Sequence, residues 1–188
     1  MEICNITKKI FVTMEDISNM NEKVDAVVNA ANSHLTDGGG VNGAIHKAAG
    51  LLLNLECLVI RCIKGKISKG NVIATKAYRM SCRYLFHAVG PIWTGGSNNE
   101  RRLLEMCYIN ALKMAEKKNC HSIAFPIISA GIYGYPKEEA IEIAILTVSM
   151  YLERDCNIDK VIFVVKDEDM YQLVSDFILK EEFKGDSL

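Results

Sequence analysis

The sequence predicts an α/β fold, and three observations carry that prediction. Short apolar runs of the kind buried inside a parallel sheet alternate with amphipathic helical stretches nearly from end to end. Two of these runs lead through small-residue loops directly into helices. No internal repeat, low-complexity segment or domain boundary interrupts the alternation, so residues 1–188 are expected to form one domain.

Ile10, Phe11 and Val12 begin an early strand that ends near Glu15-Asp16-Ile17. Residues 24–32 form the next strand, with Val24, Ala26, Val27 and Val28 as its apolar run. A helix is expected over 41–49, followed by helical or irregular chain to Cys62. Strands at 71–78 and 84–89 are joined by a turn around 80–83. Leu103, Leu104, Cys107, Tyr108, Ala111, Leu112 and Ala115 recur at helical spacing and predict a helix over 100–118, with Asn98 or Asn99 as its cap. A strand at 123–128, a helix at 137–153, a strand at 160–165 and a helix at 168–180 complete the chain.

Composition narrows the function classes. A length of 188 residues suits one domain with a sizeable core, and 49% hydrophobic and 24% charged residues are ordinary for a soluble globular protein. The formal net charge of −1 gives no global positive field toward nucleic acid or an anionic membrane, although a local patch is compatible with it. Neither a membrane-length apolar stretch nor a charged-then-apolar leader is visible, so a cytoplasmic protein is expected. Seven cysteines without a CxxC read as small core residues in a reducing compartment. Cys82 and His87 are only loosely close in sequence, and no metal site is expected.

Two motifs carry the chemistry. In VVNAAN at 27–32 a buried strand ends in two amides, Asn29 and Asn32, and GGGVNGAIH at 38–46 then opens a helix through three glycines. A strand, a glycine-rich loop and a helix start bring backbone N–H groups close to a phosphate. No GxGxxG follows the first strand and no GxxxxGK[ST] occurs. Far away in sequence, IAFPIISAGIYGYP at 123–136 supplies a second strand end. Ser129, Ala130, Gly131, Ile132, Tyr133 and Gly134 form a small-residue loop there, with Pro136, Glu138 and Glu139 favouring the following helix start. Each motif alone also fits an ordinary turn; together they point to a site.

The two motifs, in this order, resemble the signature of the macrodomain family, whose members bind ADP-ribose. The resemblance runs from about residue 8 to 180 and implies a three-layer α/β/α sandwich around a mixed, mostly parallel sheet, with the site at the strand carboxyl ends. It implies that Asp16 and Ile17 meet adenine, that Asn32 contacts the distal ribose while Asn29 supports the loop, and that Gly38, Gly39, Gly40 and Val41 line ribose and phosphate. Ser129, Ala130, Gly131, Ile132 and Tyr133 would close over the diphosphate. The competing readings are a turn cap for Asp16, strand-end capping for the amides and a core position for Tyr133.

Two departures bear on activity. Hydrolytic relatives often carry an aspartate where this chain has Asn42, and an amide orients water without taking its proton. A substrate phosphate oxygen would then act as base, with Gly40 in the loop that holds the water. His46, one turn after Asn42, is a further polarising group or else a structural histidine. Lys166 stands where many relatives have an aromatic; either its stem covers a ring and its charge adds cation–π attraction, or the position faces solvent. The resemblance therefore implies a hydrolase that removes mono-ADP-ribose from acidic side chains, deacetylates O-acetyl-ADP-ribose, or both. The alternative is a non-catalytic reader of ADP-ribose or ADP-ribosylated protein. No cofactor, nucleic acid or membrane partner is implied, and the resemblance implies a monomer.

Overall fold

The computed structural model describes residues 9–185, with side chains described as far as residue 180; Cys4 lies outside them. The chain order is β1 (Ile10–Met14), β2 (Ala26–Ala31), α1 (Gly40–Ala49), α2 (Leu51–Lys64), β3 (Val72–Lys76), β4 (Tyr84–Val89), α3 (Glu100–Lys117), β5 (Ser122–Phe125), α4 (Lys137–Leu152), β6 (Lys160–Val165) and α5 (Glu168–Gly185). The sheet order is β1-β6-β5-β2-β4-β3. All neighbours are parallel except β3 and β4, whose short connection permits an antiparallel return.

Strand alternation builds the three layers. Val28, Phe86, Ile123, Phe125 and Phe163 face α3, α4 and α5 in one apolar cluster. Val27, Ala31, Leu85, Val89, Ala124 and Val164, their neighbours on the same strands, face α1 and α2 in the other. Both faces are covered, which is why these strands read as continuous apolar runs.

Three expected boundaries shift for local reasons. β5 ends at Phe125 because Pro126 has no N–H to continue the ladder. The chain after residue 50 is a regular helix, α2, set at 113° to α1 by Gly50, whose φ of +84° suits only glycine well. The cap of α3 is supplied by neither Asn98 nor Asn99. Asn99 takes a left-handed conformation and makes no side-chain cap. Instead the buried Glu100 folds back, accepting the Asn98 amide at 2.5 Å and the Thr94 hydroxyl and amide at 2.6 and 3.2 Å. The Thr94 hydroxyl is the first of the contacts that hold its carboxyl down to about 2.

This geometry predicts an acid-sensitive element. With a folded value below the unfolded 4.5, Glu100 adds stability that is complete above pH 4.5 and lost as pH falls toward 2. Glu100→Gln should lower the thermal midpoint at neutral pH, and the gap from wild type should close between pH 4.5 and 2 in a melting series.

Candidate active site

A cleft of about 460 Å³ opens at the carboxyl ends of β2, β5 and β6, a volume within the usual range for a small-molecule site. Its walls are the 38–42 segment at the start of α1, the 126–133 loop after β5, and Lys166, Asp167 and Met170 where β6 passes into α5. The two motifs thus face each other. Ile132 bridges them: a Cβ placed on Gly39 would lie 2.9 Å from its Cδ1.

A polar row inside the sheet fixes the first wall. Asn29, fully buried on β2, pairs across the ladder with His87 on β4. Its Nδ2 donates to His87 Nδ1 at 3.0 Å and to Asn42 Oδ1 at 2.8 Å. Because Nδ1 accepts, the ring proton sits on Nε2, which lies 2.9 Å from Thr75 Oγ1 on β3. Burial, reinforced by the nearby His46, pushes the His87 imidazole down to about 3, so it stays neutral and the tautomer holds. Asn42 passes the row onward, its Nδ2 donating to the Thr36 carbonyl at 2.9 Å.

Asn32 organises the adjoining turn. Its Oδ1 accepts the His34 amide, the Thr36 amide and the Thr36 hydroxyl at 3.0–3.2 Å, and its Nδ2 donates to the Thr36 carbonyl at 2.7 Å. One N–H of Asn32 and one of Asn42 remain beyond these bonds, and both residues line the cleft. Gly39 is the N-cap of α1 and makes no side-chain cap, and no acidic residue stands in the first turn, leaving the first N–H groups open to an anion.

The second wall is set by its own turn and by α3. Ile128 N donates to the buried Tyr108 hydroxyl at 3.0 Å, Gly134 N to Gly131 O at 2.9 Å, and Tyr135 N to Ser129 O at 3.0 Å. The loop's own bonds leave the amides of Gly131, Ile132 and Tyr133 unused. Tyr133 lines the cleft; burial pushes its hydroxyl up, so it remains a neutral donor. Ser129 is buried and its Oγ has no partner among the described residues.

The far end lies beside the cleft. Ile17 is buried and lines a separate hollow of about 250 Å³ with Met20, Arg79 and Cys82. Asp16 is not part of the cleft lining either. Its carboxylate accepts the Ser18 hydroxyl at 2.7 Å and the Lys166 ammonium at 3.1 Å, contacts that hold it below the usual range, the Ser18 bond first. It reaches the cleft through Lys166, which does line it.

His46 is corrected. It faces the sheet and not the cleft, its Nδ1 donating to Asn54 Oδ1. An i+4 spacing from Asn42 places it on the same helix face, and that face is the buried one. His46, Cys57 and His87 form a buried trio with ligand-type atoms within 4.8 Å. Both His87 nitrogens are engaged and burial pushes the Cys57 thiol up to about 11, so the trio's ordinary role is core packing.

Four contributors escaped the sequence reading. His87 and Thr75 extend the polar row, and Thr36 offers a carbonyl to two amides, none of which has a local signal. Gly43 is sterically required: an added Cβ would lie 2.1 Å from Gly38 O. Its place inside GGGVNGAIH was the available clue.

A macro domain model matches residues 28–144. The chain is 43% identical over 176 residues to the O-acetyl-ADP-ribose deacetylase of Salmonella newport, covering 94% of this chain and 97% of that one. It is 47% identical over 156 residues to a macro domain-containing protein of Caldanaerobacter subterraneus subsp. tengcongensis, covering 83% and 89%. Among solved structures, the Oceanobacillus iheyensis macrodomain with ADP superposes with a TM-score of 0.84 at 37% identity, covering 93% and 91%. The Trypanosoma brucei macrodomain in complex with ADP-ribose gives 0.82 at 33%, covering 93% and 71%. This chain belongs to the macro domain family.

The two glycines should separate cleanly on substitution. Gly43→Ala pushes against backbone and should cost ~1–3 kcal/mol in stability, as in overpacked sites. Gly39→Ala meets only the flexible end of Ile132 and should stay within about 0.5 kcal/mol of the wild type. Denaturant and thermal unfolding of the two variants beside wild type read both.

Proposed function

We propose that this protein is a hydrolase that cleaves an ester on the distal ribose of ADP-ribose, as O-acetyl-ADP-ribose or as an ADP-ribosylated acidic side chain. The observation that carries the reading is the cleft itself, two glycine-containing walls that present N–H donors. The diphosphate would lie between the start of α1 and the 131–133 amides, adenine toward Lys166 and the distal ribose toward Asn32. Water attacks the acyl carbon, the acyl–oxygen bond to the ribose breaks, and the water's proton ends on the departing ribose hydroxyl. Acid and ADP-ribose, or free carboxylate on protein and ADP-ribose, are the products.

Among the described residues the one carboxylate on the cleft wall is Asp167, whose Oδ1 accepts the Met170 amide at the start of α5. It stands at the Lys166 end, away from Asn32. The chain's own part is therefore to position and to donate, and the proton passes by way of a substrate phosphate oxygen. The same observation favours one second reading, a non-catalytic ADP-ribose reader, because Asn42 is tied to Asn29 and Thr36 and cannot take a proton.

Release of acetate and ADP-ribose from O-acetyl-ADP-ribose, and loss of label from a glutamate-linked mono-ADP-ribosylated protein, test the proposal. Wild type should turn over at least one of them, and Asn32→Ala should lower kcat by roughly 10²-fold, the scale of a lost positioned donor. ADP-ribose binding without turnover of either leaves the reader.

A further inference from the structure

The helix α2 carries polar residues at Asn54, Glu56, Arg61 and Lys64, yet the side it turns away from the core is apolar and uncovered. Leu53 and Cys57 face the interior, where their buried side chains complete the cluster beneath α1. The opposite arc carries Leu51, Leu52, Leu55, Leu58, Val59 and Ile63, exposed by 42–77%, with Cys62 exposed among them. A surface helix ordinarily turns its polar side outward and its apolar side to the core, the reverse of what this arc does. Monomers seldom leave more than about 300–600 Å² of contiguous apolar surface open. This arc runs the full 14 residues of α2, about 21 Å.

We propose that this arc is a homodimer interface in which α2 of one copy packs antiparallel against α2 of a second. Three observations choose a second copy. The first is spacing: Leu52, Leu55, Val59 and Cys62 follow a 3-4-3 repeat, the seam by which two helices interlock side chains. The arc contains no tryptophan or tyrosine, the residues favoured at a lipid interface.

Charge placement is the second. No charged residue lies within the arc, and the cations Arg61, Lys64, Lys66 and Lys69 gather at one end of the helix and just beyond it. None of the four takes part in an ion pair among the described residues. A parallel pair would stack the two basic clusters. An antiparallel pair sets them at opposite ends, farther apart than the Debye length of about 8–10 Å, and also opposes the helix dipoles.

The third is area and edge. The arc supplies the apolar centre of an interface that needs about 800 Å² from each partner, with the polar flank of α2 as rim. Sheet extension through the free edge of β3 is hindered, because Glu56 of α2 already accepts the Lys76 amide there at 3.2 Å and the Tyr78 hydroxyl at 2.7 Å. On this side of the sheet contact therefore falls to the helix. In a symmetric antiparallel pair Leu55 meets Val59 of the other copy, and Leu52 meets Cys62.

Light scattering on the full chain across 1–200 µM tests the proposal, set against the chain mass of 20.9 kDa. Wild type should approach twice that mass, and Leu55→Glu, on an exposed position remote from the cleft, should weaken association by at least about thirtyfold. Circular dichroism and thermal melts establish that the variant is folded; Val59→Glu repeats the test if it is not. Under mild diamide oxidation, Leu52→Cys should form a covalent dimer with Cys62 of the other copy above the wild-type level. A monomer throughout the range overturns the proposal, as does a dimer that Leu55→Glu and Val59→Glu leave intact. Sedimentation of the wild type, but not of Leu55→Glu, with phosphatidylglycerol vesicles in the absence of self-association would assign the arc to a lipid surface and also overturn it.

Discussion

The Asn29 amide is the contact on which the cleft depends. It sits in the middle of a parallel sheet, on the face covered by α1, with its Oδ1 buried and without a partner among the described residues. Its two N–H groups are both spent, one on His87 Nδ1 and one on Asn42 Oδ1. The first fixes the imidazole tautomer and joins β2 to β4 and, through Thr75, to β3. The second joins the sheet to the first turn of α1, and from there Asn42 reaches Thr36. A loop of small residues gains a defined position because its anchor lies in the most rigid part of the molecule.

The chemistry follows from what that anchoring leaves free. The amides that shape the walls are mostly occupied by the protein, and what faces the cleft is a set of N–H donors, with a lysine and the Asp167 carboxylate at the far end. Such a wall suits an oxygen-rich anion held by backbone, and it needs no basic cluster to do so. The second wall reaches the same result differently. The 126–133 loop hangs from the Tyr108 hydroxyl of α3 and from its own turn, so a helix on the opposite side of the sheet sets where the Ile132 and Tyr133 amides stand.

The fold places these parts by simple rules. Parallel strands bring their carboxyl ends to one edge, so β2, β5 and β6 deliver their loops to a common cleft although they lie far apart in sequence. The antiparallel pair β3–β4 sits at the end of the sheet away from β6 and contributes support through Thr75 and His87. Helix α2 closes the layer next to it, but the fold needs only one of its sides.

The order and type of the elements, the α/β class and the two motif loops were legible in the sequence because each rests on neighbours in the chain: apolar runs, helical periodicity and glycine-rich turns. The local punctuation of Pro126 and Gly50 was equally present, though its effect on β5 and α2 was seen only once the ladder and the bend were in place. What only the tertiary structure decided was direction and partnership. The i+4 step from Asn42 to His46 fixes a shared face, but packing against β2 and β4 decides that the face is buried and removes His46 from the cleft. Asp16 and Ile17 follow a strand as expected, and the turn after β1 ties the carboxylate to Ser18 and Lys166 while the isoleucine side chain is buried. The Asn29–His87 pair joins residues 58 positions apart and exists only because β2 and β4 align in one register. Sequence spacing determines which side chains share a face; the long-range register determines what that face meets.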